Sequence, residues 1–469
     1  MARSRLIAFP LVLLVAGVAF AQPPGTAPWA FDEILLKNKA KFQGLILTEG
    51  DDRIRFQTVR RQPGRPTVTL TDTFHRSEIQ HVRRLAEKDR QVLRERLAEL
   101  DSTGKSEQER MESLELVADS WLGKENAARR YDSDYFTLLS GASDEVTRRA
   151  AVRLEQIYTA FARVLPPKFE GRPTTVLLAP DSQQYHTLLG QAGLPALLNP
   201  AIFDPQGQRI LCGSQLRELG TELQNARAEH RRQLDDIARY EASVRKLYRQ
   251  SKPDLDRHLE AAARERRRVQ ATDRANDAKF NRATAKLFAV LYHEAFHAYV
   301  MTFVYRPLLP EAVAAGKGPG ELPRWFNEGL AQVFETSVVE AGELRADHAD
   351  RERLNRTRDL LRAREEGLVP LRDLLVAGRE LFRAAHADQA AATDRAYLSC
   401  WGLAHYLTFG RRVLGTPGFE HYIESVNTTT DPRRAFQTLV GQDLDSFEKD
   451  WHKYLLRLQP DGTLVKEPK

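Results

Sequence analysis

The chain has 469 residues, 42% of them hydrophobic, which is long enough for two to four domains. Lys plus Arg (70) and Asp plus Glu (64) nearly balance and are interspersed, giving +6 overall and near +4 without Arg3 and Arg5; this excludes the one-signed stripe of a nucleic-acid binder. Two cysteines, Cys212 and Cys400, exclude a disulfide framework and read as buried free thiols, although an oxidising compartment would let them pair.

Residues 1–21 have the form of a secretory signal. Arg3 and Arg5 precede an apolar run from Leu6 to Phe20, and Ala19-Phe20-Ala21 offers a small-x-small cleavage pattern. The run falls short of the ~20 residues of a membrane span, so cleavage after Ala21 is expected, with an uncleaved anchor as the alternative. The expectation is an exported protein, periplasmic or extracellular, with no stable membrane span after cleavage. Residues 22–30 form a Pro-rich leader. Across 31–82, the runs Glu33–Leu36, Phe42–Leu47, Arg53–Phe56 and Thr67–Leu70 lie between turn signals and predict a small β module, barrel-like in the SH3 or Sm manner.

Residues 83–130 read as a charged helical connector. Residues 131–213 read as an α/β unit: a strand at Tyr135–Leu139, a helix from Asp144 to Phe161 ended by Pro166-Pro167, a strand at Thr174–Ala179, a short helix from Ser182, and a hairpin of 202–204 with 208–212. In 214–284, Leu216, Leu219, Leu223, Ala226 and His230 begin alternating steps of three and four that resume after Pro253. They describe an antiparallel coiled-coil hairpin insertion with a polar seam. The hairpin and the β module are the surfaces that could take a protein partner. The basic run Arg264–Arg268 suits solvated surface. Residues 285–346 hold the chemistry, and 347–469 read as a helical C-terminal subdomain. The expected fold class is α+β, predominantly α, with a small mixed sheet.

The chemistry centres on His293-Glu294-Ala295-Phe296-His297. On a helix, residues four apart share a face, so His293 and His297 can grip one Zn²⁺ while Glu294 acts on water at the metal. A third ligand is expected from Trp325-Phe326-Asn327-Glu328-Gly329-Leu330-Ala331, with Glu328 presented by its own short helix behind Pro323. Glu294 would take a proton from the attacking water and return it to the leaving amine. Tyr397 and His405, two turns apart on a later helix, are candidate donors to an oxyanion, with core packing as the alternative for both. A peptide substrate could add to a sheet edge near the metal, for which Gln208–Cys212 is the candidate. Gly316-Lys317-Gly318 lacks P-loop spacing.

These motifs resemble the gluzincin metallopeptidases, the thermolysin-like clan, and most nearly its bacterial peptidase-MA-like families of exported proteins. In those families a Tyr-x-x-x-Trp helix, as at Tyr397 and Trp401, follows the ligand helix. The resemblance spans about Tyr135 to Leu456 and implies zinc on His293, His297 and Glu328, with Glu294 as catalytic base and a peptide or protein as substrate. Two departures are plain. Gln332 stands where the thermolysin type has an aspartate that orients a ligand histidine, and the gap from His297 to Glu328 is longer. The alternatives are a non-catalytic envelope binding or scaffold protein with a degenerate gluzincin domain, and a metal-dependent hydrolase of another bond.

Overall fold

The computed structural model describes residues 29–37, 40–60, 68–101, 110–195, 199–213, 215–318, 320–336, 338–340, 343–345, 349–363, 367–378, 381, 387–428, 430–460, 462 and 464–465. The expected signal and its expected cleavage site, with most of the Pro-rich leader, lie outside the described residues. Strands β1 (Asp32–Leu36), β2 (Lys41–Glu49), β3 (Arg53–Arg60), β4 (Val68–His75) and β5 (Ile79–Arg83) form the small β module. Its order is β4-β3-β2-β1-β5, with β5 returning to pair with β1. Alternation puts Ile34, Ile54, Phe56 and Phe74 on one buried face, and α1 (Glu87–Asp101) covers the other through Leu93 and Leu97. Asp32 is buried but satisfied, since its carboxylate accepts from the backbone of Ile46 and Leu85.

Among the described residues of the connector, α1 and residues 110–112 are helical. Residues 117–132 instead form a hairpin, β6 (Val117–Trp121) and β7 (Lys124–Asp132). Leu122 and Gly123 both have positive φ, as a two-residue hairpin loop requires, and Trp121, Ala128 and Tyr131 turn inward. With β8 (Phe136–Ser140), β9 (Thr174–Ala179), β10 (Ala201–Asp204) and β11 (Arg209–Gly213) they build a six-stranded mixed sheet, ordered β10-β11-β9-β8-β7-β6. Between β8 and β9 runs α2 (Asp144–Val164), whose N-cap is Ser143, one residue before the aspartate that marks its start in the sequence. Short α3 (Ser182–Gln191) is capped by Asp181.

Helices α4 (Leu216–Leu247) and α5 (Lys252–Tyr299) form the antiparallel hairpin, and α5 runs without a break into the His293–His297 motif. A π turn, Val300–Val304, follows directly. By length and composition α5 and this turn could cross a membrane, but two-thirds of the most apolar window is buried within the fold, as in a core helix. Then come α6 (Pro310–Ala314), α7 (Arg324–Glu335) and the strand pair β12 (Val338–Glu340) and β13 (Glu343–Arg345), which extends the first sheet by pairing β13 with β4. The C-terminal part holds α8 (Arg351–Arg362), α9 (Leu371–Leu374), α10 (Ala387–His405), a π turn at Tyr406–Gly410, α11 (Pro417–Val426), α12 (Pro432–Val440) and α13 (Leu444–Arg457). One core unites α2, α5, α7, α10 and the last helices, and the described residues are predominantly α with two sheets. Cys212 and Cys400 are unpaired and buried.

Candidate metal centre

The site is built on three helices, with α7 packed against both α5 and α10. Phe161, Phe296 and Phe334 lock α2, α5 and α7 together, with ring centroids 4.8–5.3 Å apart. Gly329 allows α7 to meet α10: a Cβ there would lie 2.4 Å from the Cys400 carbonyl oxygen. The glycine beside Glu328 is thus a packing requirement, and it brings the turn before Cys400, with Tyr397, to the site.

His293 Nε2 and His297 Nε2 lie 3.1 Å apart. Glu328 Oε2 is 3.5 Å from the first, and Oε1 is 3.7 Å from the second. A tetrahedral ion with bonds of about 2.0–2.1 Å requires ligand atoms separated by about 3.3 Å. Three donors already stand near that spacing. The set of two imidazoles and one carboxylate suits zinc better than the all-oxygen cages of calcium or magnesium.

The outer nitrogens are held as well. His293 Nδ1 donates to Glu335 Oε2, and His297 Nδ1 to Asn327 Oδ1, each at 3.2 Å. Both acceptors are on α7, and they aim the two Nε2 atoms at the shared gap. Glu335 is itself tied to Arg353 Nη2 at 3.3 Å. The residue that orients His293 is therefore Glu335, two turns after Glu328, and not Gln332. The Gln332 side-chain oxygen accepts from Arg353 Nη1 instead. The spacing from Glu328 to Glu335 was the available sequence signal, since seven residues return to the same helix face.

Charges are strongly coupled. Burial opposes ionisation of Glu328, yet its bond to His293 and the charges of both histidines and Arg324 hold it down to about 2. Burial also opposes a charged His293, but Glu328 and Glu335 raise it to about 10. His297 is lowered to about 4 by burial and by its cationic neighbour. The metal-free site thus holds one proton on His293. Glu294 is pushed up by burial. Its Oε2 accepts the Phe203 backbone N–H at 2.9 Å, leaving Oε1 without a protein hydrogen bond among the described residues.

Phe203 is on β10, which lies along α5 at the edge of the mixed sheet. The edge beside the site is therefore β10. Gln208–Cys212 falls largely on β11, an interior strand between β10 and β9, because the hairpin folds outward from β9. Tyr397 is half-buried and within electrostatic reach of Glu328, Arg324 and Glu294; burial above all pushes it up to about 12. His405 does not join it. It is buried among Trp401, Phe409 and Tyr454, with Nδ1 2.9 Å from the Tyr454 hydroxyl, so its role is packing. Sequence reasoning also missed Arg324, whose Nη2 lies 2.7 Å from Glu328 Oε1.

A family model described as "Protein of unknown function (DUF1570)" matches residues 314–428. That stretch holds Glu328, Glu335 and Tyr397 but not the two histidines. No curated protein and no solved structure matches the chain.

Proposed function

We propose that the chain is an exported zinc-dependent peptidase of gluzincin type. The observation that carries this reading is the convergence of His293, His297 and Glu328 at ligand spacing, with the free oxygen of Glu294 beside them. His293, His297 and Glu328 would hold the ion. When bound, zinc supplies Lewis acidity, polarising a carbonyl and acidifying water. Burial raises Glu294, making it a readier proton acceptor, and Oε1 is the atom that accepts the proton and later delivers it to the leaving amine. The Phe203 amide fixes the other oxygen and so fixes the direction of transfer. The Tyr397 hydroxyl is the donor offered to a developing oxyanion.

The peptide would lie along β10, whose outer edge faces the motif helix. Glu335 supplies the charged partner of a ligand histidine, which removes one reason for reading the domain as degenerate. Protein partners, if the hairpin or the β module recruits them, would meet surfaces away from the ligands. The test is Glu294→Gln. It should keep zinc and lose about 10²–10⁴-fold in turnover of a peptide library. Wild-type turnover in that variant would overturn the mechanism.

A further inference from the structure

Arg324 is the first residue of α7, one turn before Glu328. Its side chain is 45% exposed although it borders a ligand that is 3% exposed. A guanidinium carries five N–H donors in a fixed fork. Among the described residues, its one recorded partner is Glu328 Oε1. Its charge is nonetheless felt by Glu294 and His297 on α5 and by Tyr397 on α10. Arg324 therefore faces the same gap as every other functional group of the site. It also has donors left over and access to solvent.

From this geometry we infer that Arg324 is a specificity residue that receives a carboxylate of the substrate next to the bond being cut. The inference rests on the peptidase reading. Two sources of that carboxylate fit: the free C-terminus of the chain, or an acidic side chain. A terminal carboxylate one residue beyond the scissile carbonyl lies within about 4 Å of it. A guanidinium already bonded to a metal ligand can reach such a group. Planar bidentate pairing to a carboxylate is what the unused side of the fork is shaped for. With the terminus as the source, the site favours removal of short C-terminal pieces, because only there does the free carboxylate fall beside the metal; with the side chain as the source, it favours an acidic residue next to the scissile bond.

The experiment uses three N-acylated peptides of one sequence: a free C-terminal acid, its amide, and an amide with glutamate placed beside the scissile bond. Each is measured with wild type, Arg324→Gln (which can still donate to Glu328) and Arg324→Lys, with zinc content recorded for each protein. The expected result is a kcat/KM for one carboxylate-bearing peptide about ten-fold or more above the neutral amide. That ratio falls toward one in Arg324→Gln and is partly kept in Arg324→Lys. Preference for the acid identifies the terminus as the source; preference for the glutamate peptide identifies the side chain. A wild-type ratio near one, or a ratio unchanged in Arg324→Gln, overturns the inference. Lost zinc with an unchanged ratio would mean that Arg324 only positions Glu328. Binding of the same labelled peptides to zinc-loaded Glu294→Gln, read by fluorescence anisotropy, tests the carboxylate preference without turnover. If wild type cleaves nothing while that preference persists, the peptidase reading fails and the carboxylate site stands. Equal binding of acid and amide removes the site.

Discussion

The two halves of α5 are one continuous helix in two different environments. From Lys252 to about Asp277 it pairs with α4 across a polar seam. His230 faces Asp273 at 2.9 Å, Glu241 pairs with Arg266 at 3.0 Å, and few residues, such as Ala262 and Val269, are buried. At the base of the arm, Arg149 of α2 and Arg227 of α4 both bind Asp277. Beyond that point Phe280, Leu287, Phe288, Leu291, Tyr292, Phe296 and Tyr299 are buried in the main core. A helix pinned on several sides by close packing can present His293 and His297 in fixed orientation. The distal half lacks that constraint. The contrast teaches that the arm adds reach, whereas the site's rigidity comes from the proximal core.

Truncation should separate the halves most sharply. Phe296→Ala, in the aromatic lock between α2, α5 and α7, should cost about 3–5 kcal/mol in denaturant unfolding and loosen zinc. A loss below about 1 kcal/mol would show that the lock is not where rigidity comes from. Gly329→Ala forces α7 from α10 and should cost about 1–3 kcal/mol, with weakened zinc binding read by competition with a chelating dye. Glu335→Gln keeps the shape of the orienting residue but removes its charge. Zinc affinity should fall about 10–100-fold, and an unchanged value would return Glu335 to a surface role. At the other end, His230→Ala in the seam should shift stability by under about 1 kcal/mol and leave zinc affinity alone. A large loss of zinc there would join the two halves.

Metal and proton should also compete in the core half. His293 is raised to about 10, so at pH 7 it is charged in the metal-free protein, while zinc needs it neutral. Zinc uptake at pH 7 should release about one proton, measured calorimetrically in buffers of different ionisation enthalpy. The release should fade as pH rises through 10. The same shift has a stability consequence. A folded-state pKa above the unfolded value of about 6.5 stabilises the metal-free fold below that pH, and the gain is lost as pH rises through 10. Zero proton release at pH 7 would mean that His293 is not held between two carboxylates.

The sequence was most legible where function rests on local spacing. His293 and His297 are one helical turn apart, and their convergence with Glu328 follows from the packing of the short helix α7 against the end of the long helix α5. Glu335 was as legible in principle, seven residues from Glu328, but attention to the next turn led to Gln332. Strand order was not legible. That β10 rather than β11 forms the edge depends on which strand β9 pairs with, a contact across 34 residues (Thr175 to Arg209). The β6–β7 hairpin was hidden because its strands are charged and its turn uses Leu122-Gly123 rather than an Asn-Gly pair. His405 shared a helix with Tyr397, yet its hydrogen-bond partner Tyr454 comes from α13, which periodicity cannot assign.

The most direct measurement is zinc per chain in the purified protein from Gln22 onward, beside Glu328→Ala. About one zinc in the wild type, with affinity lowered at least about 100-fold in the variant, is the result expected of a three-ligand centre. A folded wild-type chain that retains no zinc at neutral pH when zinc is supplied, or equal zinc in both proteins, would contradict it.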